Sequence, residues 1–339
     1  MAALPPVSGR HLSNAISHTL TIPANLVGLR LDQALSNLLP DYSRTRLKEW
    51  IEAGKVRVDG RVLKPKDKLL GGEQVRVQAE LAPEVPMAPE SIAVNVVHKD
   101  KDIFVVNKPP GLVVHPGAGN SKGTLQNALL NLDPKLDKLP RAGIVHRLDK
   151  DTSGLMVVAR TLAAHTALTR MIEAHEVERH YEAICYGVMT AGGTVDAPID
   201  RHPTDRVRMA IRNSGRDAIT HYRVVHRYRG HTHVRVKLET GRTHQIRVHM
   251  AHIKYPIVGD SVYGGRLLLP KGASPELVEA LRKFPRQALH AAQLDLDHPV
   301  SGKRISCTAA LPDDMQGLLK VMAADVLTID KRVTRRRDR

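Results

Sequence analysis

Aromatic residues are scarce: they make up 3% of the chain, with one Trp and two Phe. A core must therefore be built mainly from Val, Leu, Ile and Ala. Cysteine is nearly absent too. Cys185 and Cys307 are too few for a disulfide framework or a Cys-based zinc site, and read as small buried apolar residues in a reducing compartment. No apolar run is long enough to span a bilayer, and no hydrophobic signal segment opens the chain, so a cytoplasmic protein is expected. Gly117, Gly119 and Gly123 fit neither the dinucleotide fingerprint nor the phosphate-binding loop. Acidic residues are in deficit, 35 against 51 Lys and Arg, which leaves a formal charge of +16. Such an excess calls for a polyanionic partner, and nucleic acid leads. A membrane surface would be attracted as well.

What is abundant is charge in one place. In residues 142–155, Ala-Gly-Ile-Val-His-Arg-Leu-Asp-Lys-Asp-Thr-Ser-Gly-Leu, the charged part 146–154 is bracketed by Ile144-Val145 and the run Leu155-Met156-Val157-Val158-Ala159. The second run is short and partly β-branched, and reads as a buried strand. A charged loop pinned between buried elements can hold a reactive group still, and Asp149 is the candidate. The plainer alternative is a surface ion pair with Arg147 or Lys150, worth little. A kinase catalytic loop also places His-Arg near an Asp, but here Leu148 intervenes and neither a Gly-rich loop nor Asp-Phe-Gly accompanies it.

Taken in order, residues 1–24 lack a clear period and are expected to be mostly disordered, with an edge strand near Leu20-Thr21-Ile22. A small unit follows over 25–81. Leu31, Ala34, Leu35, Leu38 and Leu39 recur at helical spacing up to Pro40. Ser43 offers an N-cap to a second helix that Gly54 stops. Residues 56–62 read as strand, Asp-Gly turn, strand, and 71–77 as a closing strand. Arg44, Arg46 and Lys48, with Lys55, Arg57, Arg61 and Lys64 after them, suggest a phosphate-binding face rather than a merely solvated helix. Residues 82–91 are Pro-rich and read as a linker. A large unit covers 92–325, with strands at 94–97, 103–106, 179–186 and 234–238 and helices at 124–132 and after Thr161. The Arg-rich stretch from Thr190 to Arg227 is equally compatible with an RNA groove and an ordinary charged surface. His244, His249 and His252 raise a metal question, but His244 and His249 miss the two-His helical zinc spacing, so no metal is expected. The basic tail, 326–339, is expected to be disordered and to add unspecific RNA attraction. Strands interrupted by a few helices, without regular βαβ alternation, argue for α+β.

The run His146-Arg147-Leu148-Asp149 followed by Thr152-Ser153-Gly154-Leu155 resembles the signature of the RluA/RsuA family of pseudouridine synthases. So do Asn107-Lys108-Pro109-Pro110-Gly111-Leu112, a basic residue shortly before Tyr181-Glu182-Ala183, and Gly241-Arg242-Thr243-His244-Gln245-Ile246-Arg247-Val248-His249. Residues 25–81 resemble the small RNA-binding domain of ribosomal protein S-four. The resemblance implies a large mixed, mainly antiparallel sheet preceded by a small α/β RNA-docking domain. It implies that Asp149 is catalytic, that Tyr181 sits against the target base, and that Arg247 contacts the Asp149 carboxylate. Arg147 would fill the vacancy of an extruded base or grip a phosphate. Lys108, Arg242 and His244 join Arg44, Arg46 and Lys48 as expected RNA contacts. The branch most resembled acts on large-subunit ribosomal RNA, which implies uridines of 23S RNA in the helix 69 stem-loop, with no cofactor, no membrane partner and a monomeric protein. Whether Asp149 attacks the ribose or takes a ribose proton to give a glycal stays open. Two alternatives stand beside this one: the same chemistry on another ribosomal or transfer RNA, and an inactive RNA-binding assembly factor. The second does not explain why Asp149, Tyr181 and Arg247 are all present.

Overall fold

The computed structural model describes residues 15–337 apart from 41, 43, 81–87, 118, 119, 121 and 206. Ser43, most of the expected linker and residues 1–14 therefore lie outside the described residues. The chain divides into two units, Met1–Pro86 and Met87–Arg339.

In the first unit, strand β1 (Ala15–Thr21) is followed by helices α1 (Leu31–Leu38) and α2 (Arg44–Glu52), then β2 (Val56–Val58) and β3 (Gln74–Glu80). The apolar face of α1 buries Leu31, Ala34 and Leu35 against Leu47, Ile51, Val75 and Val77. Helix α2 ends where expected: Gly54 takes φ +69, and Gly54 and Lys55 donate back to the carbonyls of Ile51 and Trp50, closing the helix with a left-handed residue that favours glycine.

Two expectations are corrected here. The edge strand expected near Leu20-Thr21-Ile22 is present but reaches back through residues read as disordered, to Ala15, because β1 pairs along its length with β3. The Asp59-Gly60 turn does form, yet its second arm makes only a single bridge, Val58 to Arg61. Pro65, without an amide proton, follows closely, and β2 takes β3 as its partner.

The second unit holds a nine-stranded sheet. Its strands are β4 (Asn95–Lys99), β5 (Ile103–Lys108), β6 (Ser153–Ala159), β7 (Glu178–Tyr186) and β8 (Gly193–Asp196). A separate pair, β9 (Ile199–Arg201) and β10 (Met209–Ile211), precedes β11 (Ile219–Arg227), β12 (His231–Leu238), β13 (Leu289–Asp297) and β14 (Arg304–Thr308). The order is β4-β5-β6-β13-β7-β12-β11-β8, with β14 beside β13. Every pairing is antiparallel except β6 with β13. That contact is tight: a Cβ on Gly154 (φ +117) would lie 2.3 Å from the Ala291 carbonyl oxygen, so only glycine fits.

The helices are α3 (Leu125–Leu132), α4 (Leu162–Glu173), α5 (Gln245–His252), α6 (Pro275–Lys283) and α7 (Asp313–Arg337). Strand β6 is buried along its whole length. Met156 and Val158 join the core that contains Leu125 and Leu129 of α3. Leu155, Val157 and Ala159 join the one that contains Ala164 and Leu168 of α4. Residues 88–91 are not linker: the Ala88 carbonyl accepts from Asn127, and the Glu90 carboxylate accepts the Gly123 amide. The basic tail is not structureless either. Helix α7 anchors Met315, Leu318 and Met322 in the main core and then propagates through Lys- and Arg-rich sequence to Arg337, each added residue extending an existing helix. Among the described residues, no helix is long and apolar enough to cross a membrane.

Candidate active site

The loop that carries Asp149 is tied down on all sides. Before it, Arg141, Ala142 and Gly143 all take positive φ, and Ile144 bridges to Val158. Nε2 of His146 accepts the Val157 amide at 3.0 Å. That bond needs an unprotonated nitrogen, in keeping with burial and the nearby Arg179, which push the ring down to about 3. Within the loop the Thr152 amide donates to the Asp149 carbonyl. From below, Nζ of Lys108 donates to the carbonyls of Pro109, Leu112 and Lys150 at 2.8–3.0 Å. From the far side, Arg286 donates to the Asp151 carbonyl and Gln287 to the Thr152 hydroxyl.

The position of Lys108 corrects an expectation. Its side chain is 0% exposed, and its three donors match three carbonyls, so it is a buried tie rather than an RNA contact. Burial pulls its pKa down to about 7, opposed by Asp151 and Asp149.

Asp149 faces a cleft of about 430 Å³, a volume suited to one small molecule or one nucleoside. Its carboxylate accepts from Nη1 of Arg247 at 3.0 Å. Helix α5 presents Arg247, and Asp260 fixes it with a two-pronged pair, 2.7 and 2.9 Å. Asp260 in turn accepts the amides of Val262 and Tyr263. Burial would raise the Asp260 carboxyl, but the Arg247 guanidinium and those amides outweigh it and hold it below the ordinary range. Burial opposes the charge of Arg247, yet Asp260 and Asp149 together raise its pKa. The Arg247 guanidinium also lies over the Tyr263 ring, 5.1 Å from its centre.

His244 begins α5 with a left-handed backbone, φ +56. The Tyr263 hydroxyl accepts the Met209 amide and so has its proton free for Nδ1 of His244, 2.9 Å away. That network leaves the His244 proton on Nε2, 3.8 Å from Asp149, too far for a hydrogen bond. Desolvation lowers the His244 pKa, Asp149 opposing it.

Tyr181, 6% exposed, forms part of the cleft floor, and burial raises its phenol. Arg141, Arg147, Arg179, Arg216 and Arg242 line the same cleft with Arg247, against only Asp149 and Glu173 among carboxylates. The large unit thus brings together Asp149, Arg147, Tyr181, Arg247, Arg242 and His244, and leaves Lys108 beneath them. Arg44, Arg46 and Lys48 sit on α2 of the other unit. There Arg44 pairs with Asp32 and Lys48 with Glu52.

Sequence reasoning placed Asp260 and Tyr263 in a stretch that resembles the family but assigned no role to them or to Arg179. Asp260 was the most accessible of these: a lone acid after Ile257-Val258-Gly259 has no solvated helix face to occupy and needs a buried partner.

Both nitrogens of His249 on α5 are engaged, by Thr220 and by the Ala197 carbonyl. Asp100, Asp102 and His298 have metal-like spacing. However, Nδ1 of His298 accepts the Val300 and Ser301 amides, so its proton sits on Nε2, facing Asp100 at 3.2 Å, and that nitrogen has no lone pair for a metal.

The mixed sheet, the Asp–Arg–Asp chain and the cationic cleft make a site suited to carboxylate chemistry on a polyanion such as RNA. The chain belongs to the RNA pseudouridylate synthases: residues 102–252 match that family's model, and 29–75 match the S4 domain. It is 55% identical over 315 residues to the ribosomal large subunit pseudouridine synthase D of Escherichia coli K12, covering 93% of this chain and 97% of that protein. It is 56% identical over 304 residues to the protein of the same name from Xanthomonas campestris, covering 90% and 92%. Among solved structures, human RNA pseudouridylate synthase domain containing 4 aligns with TM-score 0.54 at 28% identity, covering 68% of this chain and 93% of that one. The family's reaction converts uridine to pseudouridine.

Proposed function

We propose that this protein isomerises uridines of 23S ribosomal RNA in the large subunit or its precursor, within the helix 69 stem-loop. It would act as a monomer in the cytoplasm and without a cofactor. The bond from ribose C1′ to uracil N1 breaks, C5 of the same uracil bonds to C1′, the C5 proton leaves and N1 regains one. Nothing is oxidised or lost, so one well-placed carboxylate is the chemical requirement.

The observation that carries this reading is the Asp149 carboxylate, 17% exposed, held by Arg247 at the base of a cleft rimmed with arginines. Asp149 is the catalytic group, as nucleophile toward C1′ or as base toward C2′. Tyr181 packs against the uracil, whose extrusion from its stack costs a few kcal/mol. Arg147, exposed at the mouth, fills the vacancy or grips a phosphate. Arg242 and His244 contact the RNA beside the target, and Arg44, Arg46 and Lys48 of the small unit contact RNA as well.

Two measurements test the reading. Chemical mapping of pseudouridine in ribosomal and transfer RNA, with and without the protein, should show loss confined to the helix 69 uridines. Loss elsewhere would reassign the substrate, and no loss would leave an RNA-binding role. In a tritium-release assay on RNA labelled at uracil C5, Asp149→Asn should release nothing while still binding RNA. Turnover surviving in that variant would remove Asp149 from the chemistry.

A further inference from the structure

Arg179 stands on the floor of the cleft beside Tyr181, and none of the roles proposed for the cleft uses it. Alternation along β7 puts residues 179 and 181 on one face and 178, 180 and 182 on the other. The acids of the strand are committed on that other face, Glu178 to Lys237 and Arg304 and Glu182 to His233 and Arg235. Arg179 is only 6% exposed. Its Nε has no hydrogen-bond partner, and no carboxylate among the described residues is within ion-pair distance of it. A Cβ on Gly241 would lie 2.7 Å from its Nη1, so the guanidinium is packed against the turn into α5. Arg247, by contrast, is matched by both Asp149 and Asp260. A buried guanidinium without a counter-charge is costly, and a binding site tolerates one where an anion is to arrive.

The anion is not a phosphate. The phosphates of an extruded nucleotide stay with the chain at the mouth of the cleft, where the exposed Arg141, Arg147 and Arg216 stand; only the base reaches the floor. Uracil becomes anionic there once its glycosidic bond breaks, because the electron pair of C1′–N1 passes to N1 and spreads onto the ring oxygens. Building on the synthase reading, we infer that Arg179 is a catalytic residue that stabilises the detached uracil anion, its guanidinium meeting a ring carbonyl oxygen. Asp149 meanwhile holds C1′ as an ester or has taken the C2′ proton. Arg179 stays charged and transfers no proton. The anion is consumed when C5 bonds to C1′, which releases the Asp149 carboxylate from its ester or returns the C2′ proton from Asp149, and the C5 proton then leaves. A fixed cation aimed at charge that appears only during reaction accelerates the step without tightening ground-state binding.

The test compares single-turnover cleavage of C1′–N1 at saturating protein, on RNA carrying uridine or 5-fluorouridine at the target. Fluorine stabilises the uracil anion by itself. Arg179→Met should slow the uridine substrate about a hundredfold, leave RNA affinity unchanged, and lose most of its deficit on 5-fluorouridine. Gly241→Ala keeps the charge but displaces it, and should show a smaller deficit with the same substrate dependence. In urea unfolding Arg179→Met should be at least as stable as the parent, since an uncompensated buried charge is gone; a structural role predicts the reverse. Equal deficits on both substrates, a defect confined to RNA affinity, or no defect would overturn the inference. If the parent converts no uridine, the synthase reading fails and this one with it. An active parent matched by Arg179→Met sinks this one alone.

Discussion

Asp260 never reaches the cleft, yet it sets where Arg247 points and so where Asp149 is held. Its side chain is fully buried, and removing one partner of such a pair strands the other charge. Asp260→Ala should cost about 4 kcal/mol in urea unfolding. Asp149→Asn should cost far less, since Arg247 keeps Asp260 and Asp149 opens onto the cleft. The Asp260 carboxyl titrates below its ordinary range in the fold. Its contribution is therefore complete above the unfolded value, about 4, and is lost as pH falls from there through the depressed folded value. Stability measured against pH should show an acid limb that Asp260→Asn flattens; an unchanged limb would mean that other carboxylates carry it. Of these three residues, Asp149 and Arg247 were visible in sequence because their motifs are dense and specific. Asp260 was not, because 13 residues separate it from Arg247 and only the packing of 257–260 against α5 closes that gap.

At the scale of the element, the Asp149 loop is held by its carbonyls as well as by its side chains. Lys108 at the end of β5 and Arg286 ahead of β13 each donate into it. Replacing Lys108 by Met leaves the buried Leu112 carbonyl without this donor, at about 1–3 kcal/mol before relaxation, and frees the partly buried Pro109 and Lys150 carbonyls as well. Lys108→Met should lower the single-turnover rate more than RNA affinity, because the loop loses position and not charge. A fall in affinity alone would make Lys108 an RNA contact after all. Strand β6 and helices α3 and α4 were readable from short apolar runs and from Thr124 and Thr161, both of which cap through their hydroxyls. Strand β1 was readable only at its end, near Leu20-Thr21: its Ile16-Ser17-His18-Thr19-Leu20 carries weak alternation, and it becomes a full strand only because β3 offers it an edge. The reach of α7 was misjudged for a related reason, since its basic residues follow a segment already docked through Met315, Leu318 and Met322.

For the molecule as a whole, a formal charge of +16 makes RNA affinity strongly dependent on salt. Arg44→Ala with Lys48→Ala should weaken RNA binding at all salt concentrations. It should also flatten the plot of log affinity against log salt by about 1 for each phosphate no longer neutralised. The single-turnover rate at saturation should be unchanged. A slope equal to the parent's would assign these side chains to their ion pairs with Asp32 and Glu52 alone.

By itself the sequence determined the kinds of parts: two units, one small and basic, an α+β body, and a loop whose His-Arg-Leu-Asp run singled out Asp149. Those properties are local, written in periodicity, caps and contiguous motifs. Only the tertiary structure decided which charges meet. It set Asp260 behind Arg247, buried Lys108 under the loop, and left Arg179 beside Tyr181 without a counter-ion. Pairings across a sheet join residues far apart in the chain, and a charged side chain reads the same in sequence whether it ends in water, in a carbonyl cage or facing a cleft.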